Sequence, residues 1–294
     1  MSLESTLSGW TGPSSDTEQD RQARTERMVR EAVRNHVPLA SCRLTIYAKD
    51  SYANNTNVRT DSDVDIAVQC HEAEYWEEAT PGAHTPGAAY AGIWTPAKLR
   101  AEVGASLRSY FAGQVDYSGS TAIGVRSSSA RVDADVVPCF DYRYYSVSGA
   151  SHVGTRVFRK NGSHFENFPT QQLVNGTRKN TRTNTIYKKS VRVLKRVENA
   201  MVANRILRAV PSFFIESLVY NCPDSILGRS SWTDRVKGIL VHIWNELEGE
   251  EPSEASARWL EVNEWKYLFH ANQKWTRADV ETSQAAWNYL GYTS

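Results

Sequence analysis

Asp61-Ser62-Asp63-Val64-Asp65-Ile66-Ala67-Val68 is the stretch that decides the fold. In a β-strand, residues two apart share a face. Asp63 and Asp65 are therefore expected to point one way, while Val64, Ile66 and Val68 point the other, into a core. Two like charges side by side repel and weaken a strand. A cation held between them removes that cost, and adjacent carboxylates are hard oxygen ligands suited to magnesium.

A lone Asp-x-Asp is common by chance, and the flanks give this one its weight. Before it runs Ser51-Tyr52-Ala53-Asn54-Asn55-Thr56-Asn57-Val58, rich in hydroxyls and amides. About 70 residues after it comes a second acidic strand, Arg131-Val132-Asp133-Ala134-Asp135-Val136-Val137-Pro138. A hydroxyl-bearing turn, an Asp-x-Asp strand and a later acidic strand are the parts of a polymerase-β-type nucleotidyltransferase. Ser51-Tyr52, Thr56, Ser62-Asp63-Val64-Asp65 and Asp135-Val136-Val137-Pro138 together resemble the CD-NTase family. Its members are bacterial enzymes, related to cGAS and DncV, that make cyclic oligonucleotide signals.

The composition is ordinary for a soluble globular protein. The 294 residues can bury one large core or two smaller lobes. Lys plus Arg total 34 against 33 Asp plus Glu, a balance that argues against a general nucleic-acid coat protein and leaves room for a locally basic site. The 4 cysteines, Cys42, Cys70, Cys139 and Cys222, are far apart without a C-x-x-C, so buried free thiols are expected rather than a zinc or redox motif. No apolar run approaches the ~18 residues that span a bilayer. The first residues carry no basic run followed by an apolar one, so no secretory signal is expected and the protein should be cytoplasmic.

Along the chain, residues 1–15 are Ser, Gly and Pro rich and are expected to be loosely ordered. Residues 16–36 predict a long charged helix, and 43–48 and 64–70 predict strands. The Gly- and Pro-containing residues 71–95 predict an insertion loop. Thr95 and Pro96 predict the N-cap and first turn of a helix reaching about Phe111. Strands are expected at 114–118, 122–125 and 131–137, with 142–147 and 155–159 extending the sheet. Helices are expected at 187–201, 213–220, 231–247 and 276–290. The last has Thr276 at its N-cap and Asp279 as capping-box partner, and the apolar stripe of 231–247 belongs to a core. The fold class is thus α+β and bilobal. Residues 1–180 form a catalytic lobe with a mixed sheet and flanking helices, and 181–294 form a helical lobe. Clefts between such lobes commonly hold active sites.

The resemblance implies residue roles. Asp63, Asp65 and Asp135 would be catalytic and would hold two magnesium ions, with manganese as a substitute. Such ions lie roughly 3.5–4 Å apart and serve both attacking and leaving oxygens. Asp133, two residues before Asp135, is the second choice for the third ligand. Ser51, with Tyr52 and Thr56, would contact the triphosphate. The family usually has Gly before this serine; here it is Asp50, which tolerates left-handed geometry better than most residues. Lys188, Arg192 and Lys195 share one helical face. Lys188 and Lys195 are the choices for the triphosphate, against a merely solvated basic face. Ser212 is expected to touch phosphate, with Phe213 either stacking on a base or belonging to the core. Asn167 or Gln171, in a loop-like segment 167–172, would read a base edge, unless they serve turn chemistry. The basic tract 177–182 would line the nucleotide entrance or be an exposed loop.

The expected function is condensation of ribonucleoside triphosphates (ATP, GTP, UTP or CTP) into a cyclic di- or trinucleotide second messenger for anti-phage, CBASS-type signalling. The product would act on a separate effector, with regulatory protein partners in some relatives and no long nucleic acid or membrane involved. The alternatives are a linear oligonucleotide or RNA-tailing transferase and, less favoured because all three carboxylates are present, a non-catalytic nucleotide-binding module.

Overall fold

The computed structural model describes residues 2–58, 63–83, 90–271 and 273–292. Within the quoted stretch, Asp61 and Ser62 lie outside the described residues, as do Pro86 and Gly87 of the expected loop. Two compact units are present. One comprises Ser14–Tyr52 and Arg59–Pro169, and the other Met1–Pro13, Ala53–Val58 and Thr170–Ser294.

The first unit is built on a seven-stranded mixed sheet. Its strands are β1 (Leu44–Ala48), β2 (Val64–Glu78), β3 (Val115–Asp116), β4 (Ile123–Val125), β5 (Ala134–Tyr145), β6 (Ser151–Phe158) and β7 (His164–Asn167). The order is β1-β2-β5-β4-β3, with β6 pairing the second half of β5 and β7 pairing β6. β2 and β5 are parallel and every other pair is antiparallel. Val64, Ile66, Val68 and Cys70 alternate into an apolar core with Ile123, Val136 and Phe140. Two helices cover that face. α2 (Asp16–Arg34) contributes Val29, Ala32 and Val33, and α4 (Pro96–Tyr110) contributes Leu99, Val103 and Leu107. Thr95 accepts from the Lys98 amide at 3.2 Å and caps α4, as the sequence predicts.

The second unit is helical, with α1 (Leu3–Gly9), α5 (Pro169–Arg182), α6 (Ile186–Ala203), α7 (Ser212–Asn221), α8 (Asp224–Leu227), α9 (Trp232–Leu247) and α10 (Glu281–Tyr289). The short turn α3 (Asp50–Ala53) follows β1. The core of this unit joins Val191, Leu194 and Val197 of α6 with Phe214 and Leu218 of α7 and with Val236, Ile239, Leu240, Ile243 and Leu247 of α9. Thr276 and Asp279 form the expected capping box ahead of α10.

Four expectations are corrected. The N-terminal residues are not loose: Ser2 caps α1, Leu7 is fully buried, and Glu4 accepts from the Trp232 and Thr233 amides at 2.8 and 2.7 Å at the start of α9. Residues 71–78 are strand, because β2 resumes its pairing with β5 after an irregularity between Cys70 and Glu74. Residues 167–172 are the end of β7 and the start of α5, with Pro169 at the first helical position. The tract 177–182 is the last part of α5. There Lys179 is buried and donates to the Cys222 carbonyl at 2.7 Å and to Asp224 at 3.0 Å.

The four cysteines are free and buried. Among the described residues no helix is long and apolar enough to cross a membrane.

Candidate active site

The parallel register of β2 on β5 puts Asp65 directly beside Asp135. Both lie at the strand starts, on the sheet face opposite the Val64–Ile66–Val68 core. Burial pushes the Asp65 carboxyl up to about 6; Lys49 opposes this, while the charges of Asp50 and Asp135 reinforce it. Asp63 stands one residue before β2 and is exposed. Asp133 also precedes its strand. Its carboxylate accepts from the Ser127 amide at 2.6 Å and its carbonyl accepts from the Val64 amide at 3.0 Å, so it braces the turn into β5. On the other side of Asp135 the register partner is Gly124. A Cβ built there would sit 4.0 Å from the Asp135 carboxylate, so glycine leaves space next to it.

β1 approaches from the far edge. Its ladder with β2 ends at Ala48 opposite Ile66, and the Lys49 amide then donates to the Asp65 carbonyl at 2.9 Å. The Lys49 side chain is only 12% exposed; its ammonium pairs with Asp50 and lies 3.6 Å from Asp65 Oδ1. Burial works against the Lys49 charge, but Asp50 and then Asp65 outweigh it and hold the ammonium above the usual lysine range. Asp50 has φ +56°, the left-handed conformation for which glycine is the usual choice. Aspartate is tolerated there, so the turn geometry survives without glycine. Ser51 follows in α3, partly exposed, and Tyr52 packs against the sheet core. Lys49 went unremarked in the sequence. Its signal is the strand pairing, which is invisible until β1 and β2 are aligned.

In the helical unit the predicted residues divide. Thr56 is fully buried; its hydroxyl donates to Glu216 at 3.4 Å, and its carbonyl accepts from the Lys195 ammonium at 3.0 Å. Lys195 is itself buried, and the neighbouring Arg192 donates to the Asn55 carbonyl at 2.6 Å and to the Thr11 carbonyl at 2.7 Å. Of the residues expected at the nucleotide, Lys195 therefore holds the Thr56 backbone, beside Arg192 on Asn55, and the Thr56 hydroxyl is bonded to Glu216. A hydroxyl with no surface cannot meet a ligand. Lys188 is partly exposed; burial lowers its pKa, Glu216 counters, and Arg192 adds to the lowering. Ser212 opens α7 and is exposed, while Phe213 packs against Trp275 in the core. Asn167 ends β7, paired with Thr155. Gln171 lies in the first turn of α5.

The donor set tests the site for a divalent cation. Asp63, Asp65 and Asp135 supply hard oxygens, Asp65 carries a like-charge burden from Asp135, and Gly124 leaves room beside the pair. These features fit a divalent cation. Among the described residues, the three donors drawn within 4.8 Å of one another are Glu77, His164 and Glu166, not the aspartates. Arg156 already pairs with Glu77 and, at 2.8 Å, with Glu166, so a cation fills that cluster from within the chain.

Comparison with known proteins shows what the chain as a whole is similar to. A family model described as the cGAS/DncV-like nucleotidyltransferase C-terminal helical domain matches residues 174–291. The cyclic dipyrimidine nucleotide synthase CdnE of Cecembia lonarensis is 32% identical over 293 residues, covering 98% of each chain. The cyclic dipurine nucleotide synthase of Elizabethkingia meningoseptica is 31% identical, also over 98% of each chain. The solved structure of the E. meningoseptica CdnE cyclic dinucleotide synthase with GTP and Apcpp superposes with a TM-score of 0.82 at 30% identity, covering 98% of this chain and 99% of that one.

Proposed function

The chain belongs to the CD-NTase family, which makes it a nucleotidyltransferase that synthesises cyclic nucleotides, and we propose that Asp63, Asp65 and Asp135 are the centre where it joins nucleoside triphosphates. The observation that carries this is the pairing of Asp65 with Asp135 across parallel strands, beside the α3 turn that bears Ser51. In this reading a ribose hydroxyl of one nucleotide attacks the α-phosphorus of another, and pyrophosphate leaves. A second such transfer closes the ring. Magnesium held by the three aspartates would neutralise the triphosphate and acidify the attacking hydroxyl.

The chain's own groups do the positioning. Ser51 presents its hydroxyl and amide to the phosphates, and Lys188 and Ser212 supply further phosphate contacts. Tyr52 anchors the turn to the sheet. Asn167, with donor and acceptor on one amide, is assigned to a base edge. Relatives of nearly equal identity are named for dipyrimidine and dipurine products, so the base preference is a property of a few such side chains rather than of the fold. The cyclic product serves anti-phage signalling through a separate effector, in this proposal.

The test is incubation of purified protein with all four labelled ribonucleoside triphosphates and magnesium, or manganese in parallel. Products are treated with phosphatase and analysed by mass spectrometry. A phosphatase-resistant product that disappears in Asp63→Ala/Asp65→Ala supports the reading and identifies the bases. A phosphatase-sensitive ladder would replace it with linear transfer.

A further inference from the structure

Lys49 is an unusual neighbour for a cation site. Its amide is bonded to the Asp65 carbonyl and its ammonium lies 3.6 Å from the Asp65 carboxylate, so backbone and side chain both fix it against the same residue. A positive charge in that place repels a divalent cation on the same carboxylate. At a separation of about 6 Å even a water-like dielectric leaves roughly tenfold in affinity between a dication and a unit charge, and a protein interior leaves more.

Asp50 removes the conflict. It occupies a left-handed position where glycine carries no strain and no side chain. Its carboxylate is ion-paired with Lys49, so the pair is neutral as a unit. We propose that Asp50 is the counterion that allows Lys49 to stay seated on Asp65 without expelling the divalent cation, making Lys49 and Asp50 positioning residues of the metal site. The proposal rests on the assignment of Asp63, Asp65 and Asp135 as cation ligands. Lys49 partly compensates the Asp65 carboxylate, and Asp50 cancels the charge that this arrangement brings close to the cation.

The geometry dictates opposite signs for two substitutions. Asp50→Asn keeps the size and the tolerance of φ +56° and removes only the charge, leaving Lys49 unneutralised. Lys49→Met removes the repelling charge. Manganese binding to the full chain without nucleotide, followed by the electron paramagnetic resonance of free Mn2+, reads both directly. The expected result is about tenfold weaker binding in Asp50→Asn, binding at least as tight as wild type in Lys49→Met, and recovery to wild-type affinity in the double variant. A purely structural role would weaken binding in both single variants and not recover in the double.

Asp63→Ala/Asp65→Ala separates the cation site itself from the role of the counterion. If it still binds Mn2+ like wild type, the assignment of the site itself is wrong. If it loses Mn2+ while Asp50→Asn binds like wild type, the site stands and the counterion proposal is overturned. A double variant as weak as Asp50→Asn alone also overturns it.

Discussion

Asp65 and Asp135 are register partners on the parallel strands β2 and β5, with Gly124 on the far side of Asp135 and Lys49 on the far side of Asp65. The four positions form one row across the sheet. Neither carboxylate can be removed without leaving the other in a site built for two. Asp65→Asn and Asp135→Asn are each expected to lower kcat/KM by about a thousandfold or more, on the order of 4 kcal/mol of transition-state stabilisation. Circular dichroism of both variants should match wild type, since Asn preserves the strand. Measurable cyclic product at a tenth of the wild-type rate from either variant would place the chemistry elsewhere.

The carboxyl of Asp65 gives a pH signature. Burial raises it to about 6, above an unfolded value of about 4, so the folded state holds the proton more tightly than the unfolded chain. The sign follows. For this group, metal-free stability is greatest below about pH 4 and declines as pH rises to about 6, and the loss is then constant. Divalent cations compete with that same proton, so Mn2+ affinity falls as pH drops through about 6. Urea denaturation of metal-free protein between pH 4 and 7 should show the slope in wild type and a flatter profile in Asp65→Asn.

Local signals were legible in the sequence and pairings were not. The alternation of Val64, Ile66 and Val68 and the caps at Thr95 and Thr276 are written in a few adjacent residues, and each appears in the structure. The second half of β2 was hidden because His71-Glu72-Ala73 lacks an apolar stripe and interrupts the ladder, which resumes on β5 only from Glu74. α1 carries only Leu3 and Leu7 as apolar payload, and it forms because Leu7 is buried in the helical core and Glu4 caps α9. A basic helical face reads the same whether it meets water or carbonyl oxygens, so the burial of Lys195 could not be foreseen. The partnership of Lys49 with Asp65 required the register of β1 on β2.

Lys188 and Lys195 are one turn-pair apart on α6 but should fail differently. Lys195 is buried on the Thr56 carbonyl, so Lys195→Met strands a buried acceptor and should cost about 1–3 kcal/mol of stability. Lys188 is partly exposed. Lys188→Ala should leave the melting temperature nearly unchanged and raise KM for the triphosphate about tenfold, the loss of one charged contact. Thermal unfolding and initial-rate kinetics on the two variants decide the matter. A stable Lys195→Met with raised KM would return Lys195 to the nucleotide.

Gly154 offers a test of Asn167 that does not touch its side chain. In β6, a Cβ at Gly154 would fall 2.5 Å from the Asn167 carbonyl oxygen and 2.9 Å from the Phe168 ring. Backbone cannot give way as a flexible side chain does, so Gly154→Ala must push the end of β7 aside. The cost should be about 1–3 kcal/mol, as for an overpacked core. Because Asn167 is the residue assigned to a base edge, the displacement should also alter which triphosphates are joined. Product analysis with all four nucleotides in competition, beside Asn167→Ala, checks this. A changed base ratio in both variants supports the assignment; destabilised Gly154→Ala protein with wild-type base ratios would show that the end of β7 supports the fold and does not read the base.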